Sequence, residues 1–226
     1  ARSTTIPEHC CSITWMRKTL FRVRHETKEL TMSTWCRHLL LLIVCLLVTA
    51  CASSTTPPAR YMLPSSQQAS TPAQPTGTLA VRAPRLAHYL DVDGIVMQLD
   101  DITLNAAREH QWAEGLNRQL ERRMRADLSQ ALPSLRVVRS EDIQPNALTL
   151  RLTVDQFQGR FDGIAIASGQ WQLLDEEGEL LAMENFYTET PLEQDGYPAL
   201  VRALSDSWDK TAKLIANEIR QGGYFN

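Results

Sequence analysis

Beyond Cys51 the chain has no cysteine; its five cysteines are Cys10, Cys11, Cys36, Cys45 and Cys51. A folded region downstream of that point has no disulfide framework and must be held by its core. Histidine is almost as scarce, with only His88 and His110 after Cys51. A His/Cys metal centre is thereby excluded, unless Cys51 keeps its thiol. No G-x-S-x-G elbow and no G-x-G-x-x-G phosphate loop occurs, which removes the common signatures of hydrolases and dinucleotide binders. Positive charge is also short. Residues 51–226 carry 16 Lys/Arg against 23 Asp/Glu, a formal balance of −7. That argues against a nucleic-acid binder and against adhesion to anionic lipid by charge. Long apolar runs are missing too: Leu39 to Val48 spans ten residues, whereas a spanning helix needs about 20.

That one apolar run has the length of a signal-peptide core, with Arg37 before it and small residues after it. A start at Met32 makes residues 1–31 an upstream or mis-started extension and residues 32–50 a signal peptide. The run ends on Val48-Thr49-Ala50-Cys51, which resembles a bacterial lipobox. An aliphatic residue and two small ones let the strand enter a peptidase cleft, and the thiol is the nucleophile that takes up diacylglycerol. Cys51 is therefore expected to be lipidated, and this covalent lipid is the only prosthetic group expected. Ala52, in place of the aspartate that tends to retain such lipoproteins at the inner membrane, favours the outer membrane, with the folded part in the periplasm.

Residues 51–77 form a Ser/Thr/Pro/Gln-rich tether with little apolar surface to offset the entropy of ordering. Tyr61-Met62-Leu63 interrupts it as a possible short strand. Ten residue steps separate Cys51 from Tyr61, at most about 33–36 Å of extended chain.

Residues 78–226 are expected to form one α+β domain. Alternation predicts strands at Thr78–Ala83, Ile95–Leu99 and Ile102–Asn105, the last two joined at Asp100-Asp101. Glu109 to Leu132 has helical period, with Trp112, Leu116, Leu120, Met124 and Leu128 in one stripe. Glu114–Arg118 and Glu121–Arg125 are expected as i,i+4 pairs on the wet side. A short strand at Leu135–Val138 precedes three longer ones. In the first of these Leu148, Leu150, Leu152 and Val154 face one way, and Phe157 breaks the phase, which predicts a bulge or strand end. Asp162-Gly163 and Glu177-Gly178 mark the turns of an antiparallel meander. Pro198 to Gln221 is a second amphipathic helix, stopped by Gly222-Gly223. The simplest layering is a mainly antiparallel sheet with both long helices on one face. Ile164 and Ile166 put apolar surface on the other face of their strand, which predicts a closed homo-oligomer.

Few residues carry chemistry. Asp91-Val92-Asp93-Gly94 has the opening of a calcium loop but lacks its third ligand and closing glutamate; a polar turn is the better account. Asp100 and Asp101 are adjacent in a turn, a poor place for an acid/base pair. Glu176, Glu177 and Glu179 read as a solvated turn. No enzyme is expected.

The order of features resembles the ABC-type transport auxiliary lipoproteins. It runs from the lipobox to Tyr61-x-Leu63, then Tyr89-Leu90-Asp91 leading into Ile95-Val96, Trp112-Ala113-Glu114-x-Leu116, and a late Tyr197–Leu204 segment. The resemblance covers about Tyr61 to Ile219, and Gly115, where a proline or another helix-starting residue is expected, is its one departure. It implies a non-enzymatic outer-membrane lipoprotein facing the periplasm. The implied partners are an MCE-domain tunnel protein (PqiB-like) and an integral membrane protein (PqiA-like), which move lipid between membranes and maintain envelope integrity. It also implies a ring-like homo-oligomer. Tyr61, Leu63, Trp112, Ala113, Glu114 and Leu116 carry the family pattern, as core or interface residues. Two other readings stay open: a lipoprotein holding a lipid in its own cavity, and an assembly factor for an outer-membrane protein.

Overall fold

The strict alternation of Leu148, Leu150, Leu152 and Val154 with Thr149, Arg151, Thr153 and Asp155 builds the longest strand of the computed structural model. The structure describes residues 34–49, 57–64, 74–142 and 145–225. The chain divides into two units, residues 1–55 and 56–226. In the first, α1 (Thr34–Thr49) is a helix with an exposed free Cys36. No helix among the described residues is long and apolar enough to cross a membrane.

The second unit contains β1 (Ala59–Tyr61), β2 (Gly77–Val81), β3 (Arg85–Leu86), β4 (Gly94–Gln98), β5 (Leu104–Trp112), α2 (Leu116–Ala131), β6 (Leu135–Arg139), β7 (Ala147–Arg160), β8 (Ile164–Leu174), β9 (Leu180–Pro191) and α3 (Tyr197–Gly222). These form an α+β domain around one mixed sheet. β7 is its spine. One edge of β7 pairs antiparallel with β8 along its length, and β8 carries β9 in the same sense. The other edge takes β2, β3 and β4 in succession, all parallel. β6 adds to β2 in parallel, and β5 to β4 as an antiparallel hairpin. The long registers are thus antiparallel, and the parallel pairings belong to the short strands.

The bulge expected near Phe157 is present: the β7–β8 register shifts between Val154 and Gln156. The extra residue, Asp155, restores the phase, so Phe157 returns to the core at 1% exposure. Gly169 lies opposite Val154 there, and a Cβ on it would stand 2.0 Å from the Thr153 carbonyl oxygen. Gly163 and Gly178, with φ of 80° and 88°, close the two hairpin turns.

Both long helices cover the face that presents Leu150, Leu152, Val154, Trp171 and Leu173. Trp208 of α3 sits at the centre. Its ring meets Phe157 and Phe186 edge-on, with centroids 5.9 and 6.0 Å apart, and its Nε1–H donates to the Leu120 carbonyl of α2 at 3.1 Å. A hydrogen bond thus fixes the register of the two helices where hydrophobic packing alone would allow sliding.

Several boundaries differ from the expectations. The helix expected over Glu109–Leu132 starts only at Leu116, because β5 continues through Trp112. Trp112 is buried under either geometry, and a single residue in phase cannot separate a strand end from a first helical turn. With Glu114 before the helix, its carboxylate pairs with Arg122 rather than Arg118; the Glu121–Arg125 pair is present at 2.9 Å. The first core strand ends at Val81, since Ala83 is exposed and the chain breaks away at Pro84. β6 and β7 pair with both its edges, and side chains on both its faces are buried, with Leu79, Ala80 and Val81 fully inaccessible. The short N-terminal strand is Ala59–Tyr61, shifted back from Tyr61–Leu63. The Asp100-Asp101 hairpin is closed by Asp100, whose Oδ1 accepts from the Ile102 and Thr103 amides at 2.9 and 2.7 Å. These bonds hold its carboxyl below the usual aspartate range.

Candidate functional site

Five of the six residues singled out from the family pattern meet where the N-terminal segment joins the domain. β1 lies parallel to the end of β5, with Tyr61 in register with Trp112. The Ala113 amide then donates to the Tyr61 carbonyl at 2.8 Å and extends the pairing past the strand. Met62 points outward, while Leu63 turns in and is 7% exposed. Trp112 packs against Phe157 at 6.2 Å between centroids, and its amide donates to the Asp93 carbonyl at 2.7 Å. Leu116 begins α2 against the same cluster. The sixth residue, Glu114, faces outward to Arg122 and contributes only its backbone here.

The join depends on a residue that the apolar pattern does not mark. Gln119 is 1% exposed. Its Oε1 accepts from the Leu63 amide at 2.9 Å, and its Nε2 donates to the Glu114 carbonyl at 3.1 Å. One buried amide side chain therefore satisfies two backbone groups that no strand or helix pairs. One turn further on, Arg123 donates to the Pro64 carbonyl, to both oxygens of Asp127 (3.2 and 3.0 Å) and to Asp209 Oδ2 (2.6 Å). Burial opposes its charge, but the two aspartates outweigh that and raise its pKa. Arg123 ties the N-terminal segment to α2 and α3 together.

A third fastening is aromatic. The Tyr61 hydroxyl lies 3.0 Å from His110 Nδ1, and the imidazole stacks on Tyr197 at 3.9 Å and 17°. Tyr197 opens α3, and burial raises its hydroxyl pKa. Gln119, Arg123, His110 and Tyr197 were not legible as partners of Tyr61 and Leu63. The available signal was weak: a glutamine flanking an apolar stripe three residues after Leu116.

These contacts are hydrogen bonds and packing. They hold a segment against the domain. Asp91 and Asp93 are exposed, and Asp93 acts through its carbonyl. Among the described residues no three His, Cys, Asp or Glu side chains lie close enough to hold a metal ion. Asp175 and Glu176 serve turns, accepting from the Glu179 and Asn146 amides. Cys51 lies outside the described residues.

Residues 61–216 match the family described as the ABC-type transport auxiliary lipoprotein component. The matched stretch opens at Tyr61, the last residue of β1. Over 163 residues the chain is 37% identical to the intermembrane transport lipoprotein PqiC of Escherichia coli K12 and equally to that of Shigella flexneri, covering 71% of this chain and 86% of each relative. Among solved structures, an uncharacterized protein is 31% identical with a TM-score of 0.64, over 73% of this chain and 99% of that one. A Xanthomonas campestris protein, 18% identical over 74% and 95%, shares the fold with a TM-score of 0.56.

Proposed function

Because the chain belongs to the ABC-type transport auxiliary lipoprotein family, we propose that it is a non-enzymatic subunit of an MCE-type, Pqi-like lipid transport system. It is an auxiliary lipoprotein of intermembrane transport. In this reading acyl chains on Cys51 anchor it at the periplasmic face of the outer membrane, and an MCE-domain tunnel protein and an integral membrane protein are its partners. The observation that carries the reading is the coincidence of the family match with the joined unit, from the Tyr61 entry to α3.

Self-assembly into a ring is part of the same proposal. β9 pairs only with β8 among the described residues. Along this open edge Leu180, Leu181, Met183 and Tyr187 are 39–57% exposed. An apolar, unpaired edge of this kind is unfavourable in water and suits a second copy. The cavity-carrier alternative is less well supported. Among the described residues, two cavities of about 520 and 450 Å³ are lined mainly by polar and charged side chains and give acyl chains little apolar recess.

The test is made in cells. Wild-type protein should fractionate with the outer membrane, resist high salt and leave with detergent, because two or more acyl chains anchor stably. Cys51→Ala should give a soluble protein or an uncleaved precursor. Detergent-solubilised wild type should co-purify with an MCE protein. A cleaved Cys51→Ala protein that still follows the outer membrane, or recovery of a barrel protein in place of the MCE partner, refutes the reading.

A further inference from the structure

Where β2 gives way to β3 along the edge of β7, three arginines converge on the cavity of about 520 Å³. Arg85 of β3 is in register with Thr153 of β7, which is opposite Gln170 of β8. Arg82 follows Val81, which is in register with Leu150, so it comes alongside Arg151, and Arg151 is opposite Gln172. Two cross-strand rows result, Arg82–Arg151–Gln172 and Arg85–Thr153–Gln170. All six side chains line the cavity.

None of the three guanidinium groups has an ion pair or side-chain hydrogen bond among the described residues. Two glutamates also line the cavity, but each is placed against another arginine. Glu121 bonds Arg125 at 2.9 Å, and Glu141 lies 4.0 Å from Arg139. The arrangement is costly as it stands, because like charges on adjacent strands repel. It occurs in a region whose formal balance is −7, so excess basic charge does not explain it.

We propose that this cavity binds a phosphate-type oxyanion. An anion between Arg82 and Arg151 turns their repulsion into two charge-assisted contacts, and the planar guanidinium fork matches phosphate oxygens in pairs. The Gln170, Gln172 and Thr153 side chains supply neutral polar partners. The volume lies within the ordinary range for small-ligand sites, roughly 300–1,000 Å³. Leu152 and Ala83 are the apolar members of the lining, so the cavity takes a headgroup-sized anion and leaves any acyl chain outside. The inference rests on these side chains alone and is independent of the transport reading.

The experiment uses the full chain in non-ionic detergent, in phosphate-free buffer at low salt. Calorimetric titration with inorganic phosphate, sn-glycerol 3-phosphate and dihexanoyl phosphatidylglycerol should show saturable binding of at least one. Arg82→Gln with Arg151→Gln should weaken that binding about tenfold or more, since each charge-assisted contact is among the stronger hydrogen bonds. Arg202→Gln, on an exposed position of α3, should leave it unchanged. Tighter binding of the short-chain lipid than of phosphate identifies a lipid headgroup. Binding of the soluble phosphates without the lipid identifies a free phosphate source, and either result supports the site. If the double variant melts lower than wild type, Arg85→Gln alone supplies the comparison. No saturable binding of any probe up to about 10 mM, a Kd weaker than about −3 kcal/mol of binding, overturns the proposal. So does binding that survives the arginine changes.

Discussion

Replacing Gln119 with alanine tests whether one buried amide holds the N-terminal segment to the domain. The change removes the acceptor for the Leu63 amide at 2.9 Å and the donor to the Glu114 carbonyl at 3.1 Å. A typical intramolecular hydrogen bond contributes about 1 kcal/mol, and a buried group left unpaired costs about 1–3 kcal/mol. Leu63 is 7% exposed, so its amide bears most of that cost. The Glu114 carbonyl is nearer the surface and recovers water. The expected loss is about 2–3 kcal/mol, which for a domain of this size lowers Tm by roughly 4–12 °C. Two readouts separate a local from a global effect. Thermal unfolding reports the total, while hydrogen exchange at the Leu63 amide reports the join. The variant should expose residues 57–64 to protease well below the global transition, because the central strands lose no contact. A Tm change within about 1 °C together with unchanged Leu63 exchange would refute the reasoning.

Trp208→Phe keeps an aromatic ring against Phe157 and Phe186 but deletes the Nε1 bond to Leu120 and leaves a gap, so it should cost about 1–3 kcal/mol; a denaturant midpoint equal to wild type contradicts the helix-register role. The Asp162 and Glu189 carboxyls are held below their usual pKa values, Asp162 by its bond with Arg160 and Glu189 by its bonds with Tyr187 and Arg160. Groups depressed in the folded state contribute stability above their unfolded pKa, near about 4, and lose it as pH falls through the folded value. Urea midpoints followed from about pH 6 to about 3 should therefore fall less steeply in Arg160→Gln than in wild type; parallel profiles would show that the surface pairs contribute nothing.

The sheet's spine and both helices were legible because burial imposes a period. Leu148 to Val154 face a core on one side only, and the α3 stripe from Val201 to Ile219 runs uninterrupted to a glycine stop. Phe157 revealed its bulge by breaking the alternation. Where the period cannot discriminate, boundaries slipped. Trp112 fits the end of a strand and the start of a helix equally well, and the strand expected over Ile102–Asn105 stops seven residues short of the end of β5 at Trp112. Parallel pairing was invisible for a different reason. β2, β3 and β4 follow one another in the chain and pair with β7 residues more than 60 positions later, and no local turn announces it. The join behaves in the same way. Tyr61 and Leu63 could be picked out by resemblance, but Gln119 lies 56 positions from Leu63 and Arg123 lies 59 from Pro64, while Tyr197 reaches Tyr61 only through His110. Polar specificity of that kind leaves no period in sequence. The three cavity arginines belong to the same class, since Arg82, Arg85 and Arg151 become neighbours only through the parallel register.

The join also sets how far the folded unit reaches from its proposed anchor. With β1 in place, eight residue steps separate Cys51 from Ala59, at most about 26–29 Å of extended chain. This is shorter than the ten steps to Tyr61, about 33–36 Å. If β1, Leu63 and Pro64 were released, the next held residue would be Thr76, whose amide donates to the Ser134 carbonyl at 3.0 Å, 25 steps from Cys51, and the limit would rise to about 83–90 Å. The three fastenings at Tyr61, Leu63 and Pro64 therefore reduce the reach about threefold. Effective concentration at a tethered partner falls steeply once a linker exceeds the span it must bridge. On the proposed acyl anchor, Gln119 and Arg123 thus act on docking geometry, while Leu150, Phe157 and Trp208 act on folding. A segment that served only as a loose leash would need no buried glutamine and no shared arginine to hold its end.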